Sequence, residues 1–442
     1  MTAVLPRTRS TGPVLALVCA AQFMVILDAS IVNVALPAVD HELGFGTGLA
    51  WVVNGYLLTF AGFMLLGGRA ADVFGHRRML TGGLLLFSAA SLVAGLAQTP
   101  GVLVGARVAQ GVGAALLAPA TLAVINTTFT EPGARARAFG AWSASGGVGG
   151  MAGAIAGGAL TSGLSWRWVF LINVPIGAAL IALALASLTA ATRRRESLDV
   201  TGAVTGTAGL AALIYGVMGG GEHGWTSPWV LAPIAGGVVL LVVFVAVQAR
   251  VARPMMPLRL FATRGIAVGT LMLLLFGGVT IAMWYFSSML LQNALGYTAL
   301  QAGLGQTPAA VMFVLVARVA AGLLPRLGVR PLILAGAAAF VIGFVWLSRA
   351  DGGSAYLTAV LGPTLIIAVG IGLTFPTLMA AATAEAPDGD AGTVGGLANT
   401  AGQVGSSLGL AALTAAGHEF LIAAGLAVAI AIVGLLLRPS RV

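Results

Sequence analysis

The feature that most limits how this chain can fold is a succession of apolar runs, each near the roughly 20 residues a helix needs to cross bilayer hydrocarbon. They lie near 13–37, 49–68, 79–97, 101–128, 138–162 and 168–190, then 200–219 and 229–249, then 265–292, 299–324, 331–348, 355–382, 391–415 and 420–437. Lipid offers no partner to backbone polar groups, so runs of this length predict helices, where barrel strands would need only about 10 residues. Hydrophobic residues make up 59% of the chain and charged ones 8%, which excludes an ordinary soluble domain with about a quarter of its residues charged. The expected fold class is an all-α polytopic membrane protein with 14 transmembrane helices.

Arginine placement orients the runs. Assigned to alternate loops, one side collects Arg7, Arg9, Arg77, Arg78, Arg135, Arg137, Arg193, Arg194, Arg195, Arg250, Arg253, Arg259, Arg264, Arg326, Arg330, Arg438 and Arg441, and the other only Arg167 and Arg349. Arg69 stands at a span end, and Arg107 and Arg318 stand within spans. Positive residues stay inside, so both termini are expected in the cytoplasm and the span count is even. A twelve-span version is also even but leaves the apolar pair at 200–249 unplaced. Arg7 and Arg9 ahead of an apolar run imitate a secretory signal. That run outlasts the usual apolar core of roughly 7 to 15 residues, so a retained first helix is expected.

The same distribution excludes other functions. The net charge of +9 is scattered over short loops with no basic tract, so no nucleic-acid partner is expected. Every basic residue is Arg, which removes the lysine of a phosphate-binding loop or of a Schiff-base enzyme. The lone Cys19 forms no internal disulfide, and His41, His76, His223 and His418 all fall in loops, so neither a metal site nor an enzyme active site is evident.

One carboxylate breaks the pattern. Asp28 sits deep in the first run, Val14 to Leu36, where an Asp costs roughly 2.5 to 3.5 kcal/mol on insertion scales and usually serves protons, ions or substrate. The other acids fall in loops or near span ends. Arg107, in the fourth run, likewise needs a carboxylate or backbone carbonyls to offset its burial. Burial and a nearby guanidinium act on such a carboxylate in opposite senses, so Asp28 with Arg107 is the candidate proton-coupling pair. On a helical wheel Gln22 and Asn33 share a face and Asp28 points about 120° away.

Three motifs and several shorter runs carry a family resemblance. Gly68-Arg69-Ala70-Ala71-Asp72-Val73-Phe74-Gly75-His76-Arg77-Arg78-Met79-Leu80 resembles motif A of the major facilitator superfamily, matching at Gly68, Ala71, Asp72, Gly75 and Leu80 and in the charge of Arg77. The resemblance implies a cytoplasmic latch built on Gly68, Asp72, Gly75 and Arg77. Leu103 to Ala115 resembles motif B at every specified position, with Arg107, Gln110 and Gly111 among them. Gly149 to Leu160 is similar to the antiporter motif C, with Ala154 in place of its proline, and keeps a packing ridge of Gly149, Gly153, Gly157 and Gly158. The runs Trp166–Gly177, Leu198–Gly202, Pro257–Phe261 and Leu291–Tyr297, with the opening Leu27–Pro37, are similar to the fourteen-span drug:proton antiporters of the multidrug and quaternary-ammonium-resistance type.

That resemblance implies the major facilitator fold, two six-helix halves plus two inserted helices, with boundaries at 1–195, 196–257 and 258–442. It implies a proton-coupled exporter in the plasma membrane, with no cofactor beyond the proton and with the monomer as the working unit. The same fold also supports an uptake or facilitative carrier. A non-transporting sensor or scaffold would explain the helices but not the motifs or Asp28. The expected partner is a small molecule, monocationic, neutral or amphipathic since only one acid lies deep. Candidate contacts are Gln22, Asn33, Trp51, Asn54, Tyr56, Met283, Trp284, Phe286, Asn399 and Gln403, because aromatic and Met surfaces repack around varied ligands.

Overall fold

Every apolar run of the sequence carries a helix in the computed structural model, which describes residues 11–188, 199–251, 254–351, 353–387 and 390–437. The helices are α1 (Thr11–Leu43), α2 (Trp51–Phe74), α3 (His76–Gly95), α4 (Pro100–Thr128), α5 (Pro132–Gly163), α6 (Trp168–Leu171), α7 (Asn173–Ser187), α8 (Val200–His223) and α9 (Pro228–Arg250), followed by α10 (Arg264–Ile281), α11 (Ser287–Met289), α12 (Ala299–Leu327), α13 (Val329–Leu347), α14 (Gly362–Ala384), α15 (Ala391–Ala416) and α16 (Glu419–Gly434). Among the described residues, 11 helices are long and apolar enough to cross a membrane. The others at the expected runs are α5 and α15, whose glycines and serines dilute their hydropathy, and the shorter α16.

Helix ends follow capping chemistry. Thr99 and Glu131 accept hydrogen bonds from backbone N–H groups of the first turns of α4 and α5, each with Pro just inside the start. Thr298 and Gln301 form a reciprocal capping box at α12. Gly75 takes φ +91° between α2 and α3, a left-handed turn that explains why the motif needs glycine there. The sixth run hitches at Ile172, where Pro175 has no N–H to give the Leu171 carbonyl, so α6 and α7 are separate. The run after Arg264 is also uneven: π-helical stretches Ala282–Phe286 and Leu290–Ala294 flank α11.

The packing repeats. α1 lies on α5, α2 on α4, and α3 on α4 and α7; likewise α10 lies on α15, α12 on α14, and α13 on α14 and α16. The two sets meet along two seams, α2 against α15 and α5 against α12. The α8–α9 hairpin packs on α2 and α15, where a Cβ on Gly62 would meet Thr207 Oγ1 at 2.2 Å and one on Gly221 the Ala415 carbonyl at 3.0 Å. The base of the hairpin is pinned by Asp199, which caps α8 at Gly202 N and accepts from Gln248 of α9, while Gln248 Oε1 accepts from Met256 N. The predicted boundary at 195/196, with Arg193 to Glu196, lies outside the described residues.

Candidate functional site

Asp28 stands at the midpoint of α1 and is fully buried, and so is Arg107 of α4. Their side chains meet at 2.6 Å, Arg107 Nη1 to Asp28 Oδ2. A buried pair is stable only if the remaining lone pairs and N–H groups are also satisfied, and polar groups from three further helices do this. Gln110 Nε2 and Asn173 Nδ2 both donate to Asp28 Oδ1, at 3.1 and 2.8 Å. Gln110 Nε2 also donates to Ser91 Oγ of α3 at 2.7 Å, while Gln110 Oε1 accepts from Arg107 Nη1 at 3.0 Å. Arg107 Nε donates to the Val52 carbonyl of α2 at 2.9 Å, and its guanidinium lies 4.3 Å from the centre of the Tyr56 ring.

The backbone makes room for this cluster at glycines. A Cβ on Gly111, one turn beyond Arg107, would meet Thr59 Oγ1 at 2.0 Å and the Tyr56 carbonyl at 2.4 Å, so α4 approaches α2 closely enough for Arg107 to reach Val52. The α5 ridge does the same for α1: a Cβ on Gly149, Gly153 or Gly157 would crowd Phe23, Ser30 or Ile31 respectively. Ser30 Oγ donates across that contact to the Gly150 carbonyl at 2.7 Å. Gly158 faces the other way, onto Ala299 and Leu300 of α12. The ridge thus holds the helix bearing Asp28 on one side and the second helical set on the other.

A second link between the sets lies at the end of the bundle where α1 stops. Pro37 has no N–H, so the Asn33 carbonyl is left without its intrahelical donor. Ser288 Oγ of α11 donates to it at 3.1 Å, and Gln292 Nε2 donates to the Val34 carbonyl at 3.0 Å. At the same end Glu42 accepts from Trp166 Nε1 and Arg167 Nη1, fastening α1 to the start of α6.

The other candidate residues scatter. Gln22 lies against Gly146 of α5, and Asn33 is buried beside the α11 contact. Trp51 packs on Tyr215 of α8, and Asn54 joins three helices, donating to Met218 Sδ and accepting from Ser407 Oγ. Tyr56 belongs to the Asp28 cluster. Met283 and Phe286 are buried in the first π-helical stretch with Trp284 half-buried beside them, and Asn399 and Gln403 are half-buried on α15. In the loop motif, Gly68 faces Pro119 of α4 and Arg77 Nη2 donates to the Leu185 carbonyl of α7. Asp72 lies in the last turn of α2, and its side chain is outside the described residues.

Sequence reasoning gave no role to Ser91, Gln110, Asn173, Ser288 or Gln292. Three of them stood inside quoted motifs: Gln110 in the Arg107 run, Asn173 in Trp166–Gly177 and Gln292 in Leu291–Tyr297. Among the described residues the buried carboxylates are Asp28 and Asp199, and the second is spent on capping α8.

Comparison with known proteins places this geometry in context. A sequence profile described as Major Facilitator Superfamily matches residues 18–410. The chain is 45% identical over 413 residues to the cephamycin export protein CmcT of Amycolatopsis lactamdurans, covering 92% of this chain and 85% of that protein. It is 40% identical over 409 residues to the puromycin resistance protein pur8 of Streptomyces alboniger, covering 90% and 80%. The solved D-xylose-proton symporter superposes with a TM-score of 0.71 over 95% of this chain and 96% of that one; at 13% identity the likeness shows the fold alone.

Proposed function

This chain belongs to the major facilitator superfamily, and from that premise we propose that it is a fourteen-span, proton-coupled exporter of antibiotic-like, lipophilic or amphipathic compounds across the plasma membrane. It is a transporter in a membrane, acting on a small molecule, and not an enzyme. Export is favoured because similar proteins are named for cephamycin export and for puromycin resistance. The repeated packing favours two six-helix halves, divided near 1–195 and 258–442 with the hairpin of 196–257 inserted between them. Arginine placement puts both termini in the cytoplasm, so the end holding Leu43 and Asn293 faces outward.

The observation that carries the coupling is the Asp28–Arg107 pair with its amide donors, buried inside one half. With Asp28 ionised, α1 is held to α4 and α7 by one ion pair and two amide hydrogen bonds. A proton arriving at Asp28 cancels that attraction and leaves Arg107 with Gln110 Oε1, the Val52 carbonyl and the Tyr56 ring. α1 is then free to shift against α4, and alternating access follows as one half rocks on the other. Movement of one charge inward supplies roughly 2.3 kcal/mol per 100 mV, enough for about a fifty-fold substrate gradient.

Asp28→Asn tests this in inside-out vesicles. The expected result is loss of efflux driven by a proton gradient with substrate binding retained; coupling that survives the substitution would sink the assignment. Removing one partner of a buried pair costs about 3 to 5 kcal/mol, so Asp28→Asn/Arg107→Gln serves as the folding control.

A further inference from the structure

The two seams between the halves are unequal. The α2–α15 seam is covered by α8, through Gly62 on Thr207, Gly221 on Ala415 and the Asn54–Met218 contact. Among the described residues no helix covers the α5–α12 seam in that way. α5 and α12 touch at Gly158 on Leu300, Gly303 on Ala154 and Gly147 on Val314. Beyond Val314, toward the cytoplasm, small exposed residues follow on α5, namely Gly140, Ser143 and Ala144. Arg318 of α12 stands at that level.

Arg318 is an anomaly on its helix. At about 100° per residue it lies about 40° from Val314, and Val311, Leu304 and Leu315 lie about 20° to 60° further round the same side. Those three are exposed and apolar, which makes that side the lipid face. Arg318 is therefore exposed at the lipid edge of the seam. Among the described residues no hydrogen bond or ion pair reaches it. Its depth is about 12 Å beyond Arg326, which marks the cytoplasmic end of α12. On α5, Arg137 projects on the same lipid side, about 9 Å nearer the cytoplasm than Ser143. Arg137 is 77% exposed and touches Glu131 only at 3.9 Å.

The Arg318 guanidinium is unneutralised and costly at its depth, and the Arg137 guanidinium is held only by the exposed Glu131, so an anion between the two offsets both charges. We propose that the cytoplasmic half of the α5–α12 seam binds the phosphate headgroup of an anionic lipid, with Arg318 and Arg137 as its ligands and the exposed apolar face of α12 beneath the acyl chains. Guanidinium matches a phosphate diester through paired N–H donors. A lipid seated there lies across one seam on which the halves must part, while the hairpin occupies the other. The leaflet rests on the orientation proposed above, whereas the binding does not depend on substrate or proton coupling.

The test is native mass spectrometry of the purified full chain titrated with dioleoylphosphatidylglycerol, dioleoylphosphatidylcholine or inorganic phosphate. Wild type should retain the glycerol lipid over the choline lipid by about fivefold for each contributing arginine. Arg318→Gln should lower that preference by about fivefold, Arg137→Gln should lower it too, and Arg349→Gln at the opposite end should not. Arg318→Lys keeps the charge but loses the paired donors, so its preference should fall between those of wild type and Arg318→Gln, which separates lost binding from lost folding. Equal lipid retention by wild type and a folded Arg318→Gln would overturn the site. Inorganic phosphate displacing the lipid at equal concentration would overturn its assignment to lipid. Failure of Asp28→Asn to abolish coupling would leave these outcomes unchanged.

Discussion

Pro37 determines how firmly the Leu43 end of α1 is held to α11. With no N–H at position 37, the Asn33 carbonyl is open to Ser288 Oγ, and the neighbouring Val34 carbonyl is taken by Gln292 Nε2. Replacing Ser288 with Ala and Gln292 with Leu removes both donors while keeping the volume of each side chain similar. Each buried hydrogen bond contributes about 0.5 to 1.5 kcal/mol net, so the pair is worth about 1 to 3 kcal/mol. That corresponds to a shift of about fivefold to 150-fold toward states in which these ends have parted. The assay is electron-spin distance measurement between labels at His41→Cys and Asn293→Cys, both exposed, with the lone Cys19 replaced by Ser. The double variant should enrich the longer-distance population at constant pH. Pro37→Ala should move it the same way, because the restored N–H competes with Ser288 for the Asn33 carbonyl. An unchanged distance distribution in the Ser288→Ala/Gln292→Leu variant would refute the latch.

Two further substitutions probe the supports of the site. Gly153→Val should destabilise the chain by about 1 to 3 kcal/mol through overpacking, since even a Cβ there meets Ser30 Cβ at 2.7 Å and the Leu27 carbonyl at 2.8 Å; a melting temperature equal to that of wild type would show that α1 does not rest on this ridge. Asp199→Ala removes the cap of α8 and the acceptor for Gln248, costing about 1 kcal/mol for the cap alone; increased protease cleavage near 251–257 is the expected readout, and wild-type resistance would remove Asp199 as the pin of the hairpin.

Much of the fold was legible because lipid imposes one periodicity and one length on every segment. The runs located each helix to within a few residues, and errors came where capping outweighed hydropathy. The fifth run was expected from 138, but Glu131 caps and Pro132 opens the helix, so α5 begins six residues earlier. The first run was expected to stop at Pro37, whereas α1 continues to Leu43 because its lost hydrogen bond is replaced from α11. The site was legible only in its charges. Asp28 and Arg107 stand out against apolar surroundings, but Asn173 and Gln110 are amides whose meaning depends on which way a helix faces. Asn54 shows the same limit: its sequence context suggests a cavity, while its partners on α8 and α15 belong to helices distant in sequence.

These placements converge on α1. Asn33 is five residues beyond Asp28, about 7.5 Å along the axis, so the buried carboxylate and the contact with α11 share one helical segment. The α5 ridge touches that segment at Phe23, Leu27, Ser30 and Ile31, on both sides of Asp28. Glycine contacts of this kind let backbones slide and tilt with few side chains to repack. Release of Asp28 from Arg107 by a proton would therefore be felt at Asn33 and Val34 without an intervening chain of side chains. Ser288 on α11 and Gln292 on the adjoining π-helical stretch would meet that displacement first, through their hydrogen bonds to the Asn33 and Val34 carbonyls.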